Sequence, residues 1–273
     1  MKASIKLLIV LSSVSFSLLA SIAPASAAQA VLPSKQIVFN SFTGVYHLSR
    51  DSRGLSLLTT GETIVADFPA SGFSGIKRVI PEKFIDHSVE INILNVSDAA
   101  GNPVPYRTSS DNNNLTLTTG DPAIILSGKQ TIRIEYQTSG VVSFTQKSNE
   151  LLLDVNGRGW NQSFNQVTAT IYVPSSFNSN LQSAPSCYLA LGTTKTDNCQ
   201  TSVQSSTQGT VISSKATAVD AHQSLIIKLD FSPTTFTNHR GTSGLQVLLL
   251  TIITLLIAGL LYLYKRSLTS HKK

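Results

Sequence analysis

Residues that carry chemistry are scarce in this sequence. Its 273 residues hold two cysteines, one tryptophan and five histidines, and only 13% are charged. There is no H-E-x-x-H, C-x-x-C, G-x-S-x-G or P-loop, which removes the usual signatures of zinc peptidases, thiol redox centres, serine hydrolases and nucleotide-binding loops. His47, His87, His222, His239 and His271 share no metal-ligand spacing. One Ser-x-x-Lys, Ser74 to Lys77, has the spacing of penicillin-binding acyl enzymes. Gly72, Gly75 and Pro81 argue against the helix that this spacing needs, and no K-T-G companion is present. No catalytic residue, metal or cofactor is expected, and the chain does not read as an enzyme. "DNNN" (111–114) and "TDN" (196–198) offer oxygens to a calcium ion, but Asx-turns are the plainer reading.

A basic binding surface is also missing. Of the 21 Lys and Arg, two precede residue 28 and four follow residue 264. The 15 between them equal the 15 Asp and Glu, all of which lie in the same stretch. The net charge of +6 therefore resides at the chain ends, and nucleic acid is excluded as a partner.

The ends are read from hydropathy. Lys2 and Lys6, an apolar stretch with serines and "APASAAQA" form a secretory signal peptide over residues 1–27; an uncleaved anchor is the alternative. Residues 245–264, "LQVLLLTIITLLIAGLLYLY", carry no charge and no proline. At about 1.5 Å per residue, a helix of this length crosses roughly 30 Å of hydrocarbon. The basic residues of 265–273 put that tail in the cytoplasm, so residues 28–244 are expected outside. No LPXTG element precedes the span, which favours a permanent anchor. The bilayer is thus one partner, through residues 245–264. Thr251, Thr254, Ala258 and Tyr262 fall on one face of the span and form a candidate helix-packing stripe.

What lies between is built from strands. Apolar residues alternate at Val89, Ile91 and Ile93; at Leu115 and Leu117; and at Ile132, Ile134 and Tyr136. The same pattern recurs at Val167, Ala169, Ile171 and Val173, and at Leu225, Ile227, Leu229 and Phe231. Turn chemistry ("DSRG", "DAAGNP", "DNNN", "SGK") separates the runs. The pattern predicts an all-β, antiparallel, immunoglobulin-like sandwich over residues 28–235, a linker at 236–244, and one transmembrane α-helix. The Ser-, Asn-, Thr- and Gln-rich segment 174–208 reads as an irregular excursion. It contains Cys187 and Cys199, which outside the membrane form a disulfide in preference to two free thiols. The "NGRG" of "DVNGRGW" reads as a tight connection between neighbouring strands. Trp160 after it is a core plug or, alternatively, an exposed anchor.

"TIVADFPASGFSGIKRVIP", "GNPVPY" and "ELLLDVNGRGWNQSFNQVTATIYVP" together resemble the extracytoplasmic N-terminal domain of YciQ-like predicted bacterial membrane proteins. Phe73, Gly75, Arg78, Ile80 and Pro81 match its first element; Glu150, Leu151, Gly157 and Trp160 match its second, with Leu153 where an aromatic is preferred. The resemblance spans about residues 37–235 and implies a β-rich domain outside the membrane, with no assigned activity. Longer relatives continue into further membrane helices and a cytoplasmic region, so no role resting on those parts is expected here. The expected function is that of an interaction or cell-envelope scaffolding module meeting a protein or envelope partner. An accessory subunit acting through its helix is the alternative, and an enzyme acting on envelope material has no residue set behind it.

Overall fold

Period-two burial marks many of the strands between residues 36 and 238. The computed structural model describes residues 36–84, 87–238, 252–255 and 257–259. In chain order the strands are β1 (Val38–Arg50), β2 (Ser56–Phe68), β3 (Lys77–Pro81), β4 (Lys83–Phe84), β5 (His87–Ser88) and β6 (Glu90–Ser97). Then come β7 (Tyr106–Asp111), β8 (Asn114–Thr119), β9 (Gly128–Ser139), β10 (Val142–Phe144), β11 (Asn149–Asp154) and β12 (Phe164–Pro174). After a 3-10 turn at Ser175–Asn180 follow β13 (Ser186–Leu191), β14 (Thr194–Thr196), β15 (Gln200–Ser206), β16 (Gly209–Val219) and β17 (Ser224–Phe231). The fold is all-β, as the alternation predicts.

Seven strands form the largest sheet, in the order β15-β16-β12-β1-β2-β9-β6. A five-stranded sheet runs β10-β11-β17-β13-β14, and a three-stranded sheet runs β3-β8-β7. Inward residues of all three, among them Phe42, Ile64, Leu117, Ile171 and Leu229, belong to one hydrophobic cluster. A bulge between Phe39 and Ser41 shifts the phase of β1, so Phe39 and Phe42 both face inward. The turns follow local chemistry. Asp51 Oδ1 accepts from the backbone N–H of Arg53 and of Leu55, at 2.9 Å each, and closes β1 onto β2. Asn112 and Asn113 adopt positive φ (52° and 62°), the demand of a two-residue hairpin, so "DNNN" is the β7–β8 turn.

Three expectations are corrected. The sheets are not wholly antiparallel, because β1 and β12 run parallel, with Phe39 opposite Phe164. A parallel pair needs a long crossover, which everything from β2 to β11 supplies. Segment 174–208 is not irregular: it holds the 3-10 turn and β13 to β15. Its β15 lies at a sheet edge with neither face buried, and this removes the apolar alternation by which strands are recognised. Lastly, β11 and β12 are not paired neighbours. They belong to different sheets, and residues 155–163 carry the chain from one to the other.

Cys187 and Cys199 are joined in a disulfide that ties β13 of the five-stranded sheet to the residue before β15 of the seven-stranded one. Residues 252–255 and 257–259 are helical. Among the described residues no helix is long and apolar enough to cross a membrane. The signal segment 1–27, most of the 236–244 linker, the remainder of the 245–264 span and the tail lie outside the described residues. Thr251 and Tyr262 are among them, whereas Thr254 and Ala258 are helical and exposed.

Candidate functional site

A strand fixes where Arg78 points. Along β3, alternation turns Arg78 and Ile80 inward and leaves Lys77 and Pro81 exposed. Arg78 is 2% exposed and meets Glu62 of β2, itself 1% exposed. Its Nε donates to Glu62 Oε2 at 2.8 Å and its Nη2 to Glu62 Oε1 at 2.7 Å, a bidentate pair. Tyr136 of β9 donates its hydroxyl to the same Oε1 at 2.8 Å. Arg78 Nη1 donates to the Val79 carbonyl at 2.7 Å. The carbonyl of Val155, just after β11, accepts from Arg78 Nη2 at 3.4 Å and from the Tyr46 hydroxyl at 3.3 Å. Phe42 places its ring 5.4 Å from the guanidinium carbon. One side chain thus links elements of all three larger sheets.

The electrostatics follow from this enclosure. Burial opposes the charge on Arg78, but the Glu62 carboxylate outweighs it and holds the guanidinium firmly protonated. Burial, then Glu62, pushes the Tyr46 and Tyr136 phenols well above their ordinary range, so both stay neutral. Charge meets charge with hydrogen bonds satisfied, the condition under which a buried pair is tolerated. These groups are buried, and their bonds link the sheets.

The second family element closes over the first. Gly157 has φ +73°, and a β-carbon on it would lie 2.5 Å from Arg78 Nη1. Beside it Asn156 accepts from the Leu225 N–H and donates to the Gln223 carbonyl, at 2.9 Å each. Trp160 Nε1 donates to the Asn156 carbonyl at 2.6 Å, and its ring packs edge-on to Phe39 and Phe164, with centroids 4.9 and 5.2 Å away. Trp160 is 5% exposed, the core plug of the two readings. It precedes β12 by four residues and does not open it.

The other motif residues divide between core and surface. Ile80 and Leu151 are buried. Gly75 lies so close to the Thr119 carbonyl that no side chain fits there. Glu150 is elsewhere, pairing with Lys228 at 2.8 Å. The structure therefore brings together Arg78, Gly157 and Trp160, and leaves Glu150 apart. Glu62 is the residue that sequence reasoning missed. It lies on β2 in phase with Leu58, Ile64, Ala66 and Phe68, all buried, and that phase is the signal that could have found it.

Above this clamp runs a groove of about 380 Å³ between segments 72–77 and 159–162. Phe73, Ser74, Asn161 and Gln162 line it, with the cations Lys77 and Arg107 and no acidic residue. Among the described residues, no three His, Cys, Asp or Glu side chains converge as metal ligands would.

No curated protein matches the chain in sequence. Among solved structures it is similar to an M1 zinc metallopeptidase from Deinococcus radiodurans, at 12% identity and a TM-score of 0.43, over 72% of this chain and 43% of that one. It is also similar to native leukotriene A4 hydrolase from Saccharomyces cerevisiae, at 8% identity and a TM-score of 0.43, over 72% of this chain and 29% of that one. The chain thus spans less than half the length of either, and likeness of this size says nothing about activity. The family model described as the N-terminal domain of a predicted membrane protein (DUF2207) matches residues 56–226, more than half of the chain, which carries both elements of the clamp. The chain belongs to this family.

Proposed function

We propose that the protein is a single-pass membrane protein whose exported β domain is a rigid interaction or cell-envelope scaffolding module, without catalysis of its own. The observation that carries this reading is the Arg78–Glu62 pair. The guanidinium that the first family element turns inward is neutralised by Glu62 and buried, so this pair supplies rigidity in place of reactivity. We read the exported part as an immunoglobulin-like sandwich. One core fed by both large sheets supports this, and the parallel β1–β12 pair departs from the wholly antiparallel pattern.

Residues 245–264 are proposed as the anchor, with residues 28–244 outside and the basic tail in the cytoplasm. Ile252, Ile253, Leu255 and Ile257 are helical and 44–72% exposed, a run of bare apolar side chains that hydrocarbon would cover. Protease added to intact, wall-stripped cells should destroy the domain and spare the tail; a fully protected domain would refute the topology. The second reading, an accessory subunit contacting a neighbour through the helix, is supported by Thr254 and Ala258, exposed and four residues apart. Replacing both with leucine should then weaken cross-linking to that neighbour in membranes. If a poly-leucine span serves as well as the native one, the helix is an anchor alone.

A further inference from the structure

The groove between the two family elements has a definite charge and chemistry. Lys77 of β3 and Arg107 of β7 are both in register with Thr118 of β8, one on each side. Residues opposite one another leave the same face of a sheet, so the two cations stand two strand spacings apart, roughly 9–10 Å at the backbone. Among the described residues neither side chain has an ion-pair or hydrogen-bond partner, and no acid lines the groove. No described residue pairs with either cation, so an anionic occupant complements them.

The remaining lining narrows the occupant. Asn161, Gln162 and Ser74 offer neutral amide and hydroxyl groups beside the half-buried ring of Phe73. Such groups match a hydroxylated chain, whose ring faces or carbon edges lie on aromatic surface while its hydroxyls pair with amides. A peptide finds less here. Peptide grooves draw affinity from main-chain bonds to a free strand edge. On β3 the Val79 carbonyl already accepts from Arg78 Nη1, and Gly159 packs against the Val79 side chain.

We propose that this groove binds an anionic polyhydroxylated polymer, one carrying carboxylate or phosphate groups along a sugar or polyol chain. The proposal rests on the reading of the domain as an interaction module and names its ligand chemistry. The test uses the full-length protein in detergent with four polymers: polygalacturonate, poly(glycerol phosphate), dextran and polyglutamate. Binding is expected for at least one of the first two, which also identifies the anion, and not for dextran. Lys77→Gln with Arg107→Gln should weaken that binding at least tenfold and flatten its salt dependence, with the unfolding midpoint unchanged. Polyglutamate bound as tightly as the glycan polymers would overturn the proposal in favour of an acidic peptide, and equal binding of dextran would remove the role of charge. Failure of both anionic polymers, or full binding by the double variant, would also overturn it. Photo-cross-linking in intact cells separates the two readings: adducts to envelope material that survive in the double variant leave the interaction module standing and refute the groove.

Discussion

Arg78 Nη1 lies 2.5 Å from the point a β-carbon on Gly157 would occupy, although the two residues are far apart in sequence. Gly157→Ala should therefore combine a strained left-handed backbone with displacement of the guanidinium, and lower stability by about 2–4 kcal/mol. In a background of Arg78→Met the same change should cost only the backbone part, about 1 kcal/mol. Urea unfolding of the four proteins measures the coupling; additive losses would mean that the contact does not exist.

Glu62→Gln leaves Arg78 buried opposite a neutral amide. Breaking such a pair costs about 3–5 kcal/mol, whereas replacing both partners with apolar side chains restores much of it. Equilibrium unfolding should show a large loss for Glu62→Gln and a clear recovery for Glu62→Leu with Arg78→Met. A single-variant loss near zero would show that water reaches the pair.

Stability should fall in alkali. Tyr46 and Tyr136 hold their protons in the folded chain well beyond the ordinary tyrosine value, whereas the unfolded chain releases them near pH 10. Above that pH the unfolded state binds fewer protons than the native one, so unfolding becomes easier as pH rises. Two such phenols give a slope of about 2.7 kcal/mol per pH unit, beginning near pH 10 and ending where the folded phenols ionise. Stability curves between pH 8 and 11 check this, and Tyr46→Phe with Tyr136→Phe should flatten the slope.

Trp160→Ala should cost about 3–5 kcal/mol, since it empties a packed aromatic site. Trp160→Phe keeps the ring contacts and loses the bond to the Asn156 carbonyl, about 1 kcal/mol. Native emission should be blue-shifted; emission like that of indole in water would place the ring on the surface.

The disulfide makes two predictions at once. Alkylation of the native protein with and without reductant should differ by two labels. Cys187→Ala with Cys199→Ala should lower stability by about 2–4 kcal/mol, because the bond links two sheets as well as closing a loop.

Strands whose inner face is wholly apolar were legible in the sequence. Ile132, Ile134 and Tyr136 of β9 and Val167, Ala169, Ile171 and Val173 of β12 are buried as their alternation predicts. The edge strand β15 was not, since it buries neither face and shows no period. Pairing direction was also hidden, because alternation reports which side a residue faces and not which strand lies beside it. The clamp was half legible. Arg78, Gly157 and Trp160 stood out by motif, while Glu62 read as one more polar residue because a charge facing inward breaks the apolar rule it sits within. The groove was illegible, since Lys77 and Arg107 come together only through the register of β8.

The parallel pairing of β1 with β12 has a kinetic consequence. β1 is the central strand of seven, yet its partner on one side begins 125 residues beyond Phe39, at Phe164. A polypeptide emerging N-terminus first can zip β1 to β2 at once, but the opposite flank of β1 stays open until β12 is out. Contacts of such high order fold slowly, and an open strand flank is a template for intermolecular pairing until it is closed. The domain should therefore fold late and cooperatively, and depend on a holding chaperone while only its first half has been delivered.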